Sequence, residues 1–184
     1  MSDNCPTFET IRTRRVCRVF TDEPVSRDDL KHLIRAARWA SSAGNRRIHK
    51  FVIVDDQKSV DLIRIMSPGI LGNPHALIFI CTDKEKAGVE GVNLDLDVTT
   101  FIDVGTASQN MMLAAHEIEL GSCPTTSFSK GAVRVILNLP DYLEPEYILQ
   151  VGHPVEKPRS IGKGAVASLP IETIAFWGAF PASV

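Results

Sequence analysis

RWASSAGNRRIHKFVIV, Arg38 to Val54, joins the end of a helix to the start of a strand through a connector far more polar than a turn requires. Upstream, SRDD (Ser26 to Asp29) is a capping box, and Leu30, Leu33, Ile34 and Ala37 follow on one helical stripe, so the pattern predicts a helix over Ser26 to Trp39. Downstream, Phe51 to Asp55 reads as a strand and Gln57 to Met66 as a second amphipathic helix. SPGILGNP then leads into a wholly apolar strand, Ala76 to Thr82, whose composition places it centrally. Leu96 to Leu120 reads as one long helix rich in small residues and stopped by Gly121. A short helix near Gly131 to Leu137 and a strand around Tyr147 to Val151 follow. Near the start, Thr7 is placed to cap a first helix containing Phe8 and Ile11, and Val16 to Phe20 reads as a short strand. Strands separated by helices predict a sheet with helices packed on its faces.

The chain has 184 residues, which suits one domain with one sizeable core. Its net charge of −2 gives no protein-wide field for nucleic acid or an anionic membrane. Cys5, Cys17, Cys81 and Cys123 form no CxxC pair and no zinc spacing, and read as reduced thiols. The N-terminus lacks the apolar core of a signal peptide, and the longest uncharged run is broken by prolines and glycines; a soluble, cytoplasmic protein is expected. The last stretch, LPIETIAFWGAFPASV, is apolar enough to cover a partner subunit. Neither a P-loop nor GxGxxG occurs.

Three segments carry candidate chemistry. RTRRVCR sets four guanidinium groups within seven residues, an arrangement that suits a phosphate monoester or, equally, a solvated basic face. SSAGN offers hydroxyls and an amide complementary to a heterocycle edge, yet also suits a helix end with Gly44 in the left-handed region. SCPTTSF reads as a turn whose backbone N–H groups face a ligand, or as a plain turn. The five histidines show no metal spacing; His116 reads as hydrogen-bonded locally, and Asp95, Asp97 and Asp103 as charges complementing a helix N-terminus.

RRVCRVF, RWASSAGNRRIHKFVIV, DVGTASQNMMLAAHEIELGSCP and LEPEYILQVGHPVE, in this order, resemble the flavin-dependent nitroreductase family from about Ile11 to Pro158, with a weaker continuation to Trp177. SPGILGNP, SCPTTSFS and LPDYLEPEYILQVGHP look most like the branch containing cyclodipeptide oxidase subunits and simple NAD(P)H nitroreductases. The resemblance implies a nitroreductase-like α+β fold over residues 1–184 with a central mixed or antiparallel sheet flanked by helices, a homodimer with FMN at the interface, and a tail from about residue 160 extended over the partner. It assigns the FMN phosphate to Arg14, Arg15 and Arg18, with the backbone N–H of Val16. Ser42, Ala43 and Asn45 would lie along the flavin from the other subunit, and Pro124, Thr125 and Thr126 would face N5. NAD(P)H is implied as hydride donor, and a nitroaromatic, quinone or similar small molecule as acceptor; no catalytic side chain is required.

Three departures stand out against the family. Val16 replaces a serine. Arg47, Ile48 and His49 replace glutamine, proline and tryptophan, and the cation at Arg47 would raise the flavin potential. A late arginine is absent, with Lys163 or Arg159 as its substitute. Two other functions follow from the same residues: a flavin oxidase of a small substrate such as a cyclic dipeptide, and a flavin-binding protein without catalysis. The SPGILGNP loop and residues 83–93 have the composition of a mobile cover.

Overall fold

The computed structural model describes residues 5–155 and 170–179. Eight consecutive buried residues form its centre: strand β2 (Ala76–Asp83) is covered on both faces. Its odd and even positions serve two cores. Ile78 and Ile80 face helices α2 (Arg27–Arg38) and α5 (Thr99–Glu117), packing with Leu30, Leu33, Met111 and Ala115. Leu77, Phe79 and Cys81 face α3 (Gln57–Ile65) and α6 (Lys130–Ile136), packing with Val60, Ile63 and Val133. This period-two division explains why the strand reads as continuously apolar.

Around β2 the sheet runs β1-β2-β4-β3, where β1 is His49–Val54, β3 is Gly121–Thr125 and β4 is Leu143–Gly152. All three pairings are antiparallel, so of the two expected sheet types the antiparallel one is found. Ser26 caps α2 as the capping box predicts, its hydroxyl accepting from the Asp29 N–H at 3.0 Å. The long helix is shorter than its apolar pattern, because Asp97 accepts from the N–H and hydroxyl of Thr99 and fixes the start there.

Four local expectations are corrected. Helix α1 (Pro6–Thr13) begins with Cys5 at its cap and Pro6 in its first position; Thr7 lies inside it. Proline presets the helical φ and lacks an N–H that would need a cap. Residues 16–20 form no strand: the Phe20–Pro154 bridge and single backbone hydrogen bonds, Cys17 N–H to Ser122 O and Val155 N–H to Val19 O, tie the segment to two different neighbours instead of pairing it with one. SCPTT is largely strand β3 rather than a turn. Residues 83–93 contain helix α4 (Lys84–Val89), pinned by buried Ala87 and Val92 against Ile48, so they do not form a loose cover.

The SPGILGNP loop is also built in. Ser67 and Ile70 are buried, Gly69 N–H donates to Ser127 O at 2.9 Å, and Arg64 Nη1 donates to Gly72 O at 3.0 Å. A Cβ on Gly72, at φ 144°, would stand 2.1 Å from the Arg18 carbonyl oxygen. Only glycine permits that approach.

Candidate functional site

Arg14 ends α1 and turns the chain to extended geometry at φ −54°, ψ 134°. The following residues run beside the open edge of β3: Cys17 N–H donates to Ser122 O at 2.9 Å, and the Arg18 side chain reaches the Cys123 thiol. Burial pushes that thiol up, while Arg18 pulls it down. Nε and Nη1 of Arg14 and Nε of Arg15 are buried and lack hydrogen-bond partners among the described residues. Nη1 of Arg15 donates to Arg12 O and Arg14 O at 2.7 and 2.6 Å. Buried guanidinium donors without acceptors are costly, and a phosphate supplies the matching oxygens. Val16 and Arg18 are exposed beside them.

Since the Ser122 carbonyl points away from β4, alternation turns Pro124 toward the same open edge, and the same alternation carried one step past the strand end at Thr125 assigns Thr126 to it. Pro124 has no N–H, as suits an edge strand. The next outward N–H belongs to Thr126. Thr125 points inward and is buried, its hydroxyl 2.6 Å from Gln150 Nε2. The fold therefore brings Arg14, Arg15, Val16 and Arg18 together with Pro124, Thr125 and Thr126.

Ser42, Ala43, Asn45 and Arg47 lie elsewhere. A 3₁₀ turn at Ala43–Asn45 follows α2, with Gly44, Asn45 and Arg47 at φ 58°, 54° and 51°. Ala43 N–H donates to both oxygens of buried Asp103, at 3.0 and 3.1 Å, and Arg46 pairs with Asp97 at 3.0 Å. Arg47 Nε donates to Asn45 Oδ1 at 2.9 Å, and its side chain borders a cavity of about 130 Å³ lined also by Ser42, His49, Phe51 and Asp103. The arginine segment sits at the other end of α5, where Thr13 Oγ1 meets His116 Nε2 at 2.9 Å. Asp103 and His116 are separated by about 20 Å of helix. The two groups of candidate residues are thus held at opposite ends of α5 and are not brought together within one chain. Lys163 and Arg159 lie outside the described residues.

Asp103, expected with Asp95 and Asp97 to complement a helix N-terminus, instead holds the Ala43 N–H, and its polar place in the buried stripe Thr100, Asp103, Val104, Ala107 is the signal of that role. His116 bonds across elements to α1, not locally. Among the described residues no group of three or more His, Cys, Asp or Glu is placed to hold a metal ion, and no helix is long and apolar enough to cross a membrane.

A nitroreductase-family model matches residues 11–71 and 66–153. The chain belongs to the nitroreductase family. It is 28% identical over 173 residues to the FMN reductase (NADPH) of Bacillus subtilis strain 168, covering 83% of this chain and 69% of that protein. An NADPH-dependent oxidoreductase of Staphylococcus aureus strain MRSA252 is 25% identical over 182 residues, covering 89% and 70%. Among solved structures, a nitroreductase family protein of Clostridium difficile 630 superposes with a TM-score of 0.78 at 25% identity, over 94% of this chain and 98% of that one. The NfrA1 nitroreductase of Bacillus subtilis shares the fold, with a TM-score of 0.79 at 23% identity over 96% and 76%. The family assignment agrees with the nitroreductase-like α+β architecture built up above.

The cavity also carries a pH response. Burial holds His49 below its ordinary value of 6.5, with the charges of Asp103 and Glu146 opposing. The unfolded chain then binds the proton more readily, so stability falls as pH drops through the window below 6.5. Urea midpoints should fall between about pH 7.5 and pH 5.5, and His49→Gln should flatten that slope. An equal slope in the variant would assign the response to other groups.

Proposed function

We propose that this nitroreductase-family oxidoreductase binds FMN between two copies of the chain and turns over with NAD(P)H. The observation that carries the reading is the set of buried, unpartnered guanidinium donors of Arg14 and Arg15 beside the open edge of β3. Bound FMN would supply the hydride chemistry of a ping-pong turnover between NAD(P)H and a nitroaromatic, quinone or similar acceptor. The chain's residues hold and orient it. Arg14, Arg15 and Arg18 grip the phosphate with the Val16 N–H. Thr126 N–H, following Pro124 and Thr125, faces the N5 edge. Ser42, Ala43 and Asn45 of a second copy, braced by Asp103, close the other side of the ring.

A second copy answers two features of the single chain. It completes a site whose halves are about 20 Å apart along one helix. It also covers exposed apolar groups, including Phe101 and Ile102 on α5, Trp39, and Trp177, which is 96% exposed. Ile171 and Ile174 of the tail are exposed too, as a partner-covering segment requires; Phe180 lies outside the described residues.

Arg47 gives this site a charge of its own. The cation should favour the reduced cofactor, so Arg47→Gln is expected to lower the FMN midpoint potential by about 20 mV or more. An unchanged potential would place Arg47 in a purely local role with Asn45.

The function is tested by anaerobic spectroscopy of the FMN-loaded protein. NADPH or NADH should bleach it, and a nitroaromatic or quinone should restore the colour. Bleaching by a cyclic dipeptide instead would identify an oxidase, and a protein that takes up no FMN would defeat the reading.

A further inference from the structure

Tyr147, Leu149 and Val151 of β4 join the core under α2 and α5, while Ile148 joins the core under α3 and α6. Alternation puts residue 150 on the Ile148 side, opposite Leu77 and Cys123, where any hydrophobe would pack. Gln150 stands there, fully buried. Such an amide is costly unless its hydrogens are used. Gln150 Nε2 donates to Thr125 Oγ1 at 2.6 Å and to Gly69 O at 3.3 Å, and Thr125 Oγ1 donates to the same carbonyl at 3.3 Å. The three groups are bonded to one another, while Gln150 Oε1 is buried without a partner among the described residues.

This set fastens the SPGILGNP loop to the end of β3. Gly69 N–H donates to Ser127 O at 2.9 Å, and Ser129 N–H to Met66 O at 3.3 Å. A Cβ on Gly69 would stand 2.7 Å from both Ser127 O and Thr125 Cγ2, so the approach is as close as backbone allows. Thr126 is bracketed: Thr125 is held through its side chain and Ser127 through its carbonyl.

We propose that Gln150 is a positioning residue which, through Thr125 and Gly69, fixes the direction of the Thr126 N–H toward the flavin without itself touching the cofactor. The proposal rests on the FMN reading above. Its consequence is that the loop acts as a rigid brace for the reacting edge.

Gln150→Leu keeps the approximate shape and removes both donors. In the FMN-loaded variant, anaerobic reduction by NADPH or NADH should slow about tenfold, while the FMN Kd moves less than about threefold, because the phosphate arginines are untouched. In the FMN-free protein, amide-exchange protection at Gly69 should fall by about tenfold or more. Thr125→Val should give the same slowing, and the double variant should be no slower than either single, since both break one set. An unchanged reduction rate in Gln150→Leu, or losses that multiply in the double variant, would overturn the proposal. If Gln150→Leu does not fold, the reduction rate of Thr125→Val decides it. Wild-type protein that takes up no FMN would instead defeat the cofactor reading, and the exchange of Gly69 would still report whether Gln150 holds the loop.

Discussion

Replacing Arg14 and Arg15 together by alanine is expected to weaken FMN binding by a factor of about 100 to 1,000. The buried Nε and Nη1 of Arg14 and Nε of Arg15 have no acceptors among the described residues. A charge-assisted hydrogen bond contributes about 1.5–3 kcal/mol, and two such groups lost together remove about 3–4 kcal/mol at tenfold per 1.4 kcal/mol. The stability of the FMN-free protein should move in a different way. Buried guanidinium donors without acceptors are a burden when no anion is bound and offset the two backbone bonds of Arg15 Nη1, so the double variant should unfold within about 1 kcal/mol of the wild type. Flavin fluorescence titration and urea unfolding of the same samples separate the two effects. A large loss of stability with unchanged FMN affinity would make these arginines structural.

Phe79→Ala should cost about 3–5 kcal/mol of folding free energy, a large part of the 5–15 kcal/mol typical of a domain. Phe79 is fully buried at the middle of β2, whose neighbours β1 and β4 leave the sheet little freedom to collapse into the space. Its ring meets Phe128 edge-on, centroids 6.3 Å apart at 81°. Phe128 follows Thr125–Ser127 at the end of β3, so the cavity would loosen the candidate site as well as the core. Urea midpoints measure the loss, and a change below about 1 kcal/mol would contradict the packing described.

The sheet and its helices were legible because burial imposes periodicity. β2 is apolar throughout since it is covered on both faces, and α2 announces itself through SRDD and a stripe of apolar residues. What escaped was geometry set by distant partners. Nothing local in SCPTTSF distinguishes a turn from an edge strand; pairing with β4 decides it. The composition of SPGILGNP suits a mobile cover, but Gly69 and Gly72 serve close approach to Thr125, Ser127 and Arg18 rather than freedom. At the site, the arginine cluster and SSAGN were visible as chemistry. Their braces, Asp103 and Gln150, were single polar residues in apolar patterns, and only the contacts with Ala43 and Thr125 give them meaning. The 20 Å between the two groups of candidate residues follows from the length of α5 and from where its ends lie, which no motif records.

The central claim is that two copies of the chain enclose FMN. Sedimentation equilibrium followed at the flavin absorbance tests it most directly. Flavin sedimenting with a particle of twice the 20.2 kDa chain mass, at one FMN per chain, is the predicted result. Flavin tightly bound to a 20.2 kDa particle, or left free in solution, would contradict it.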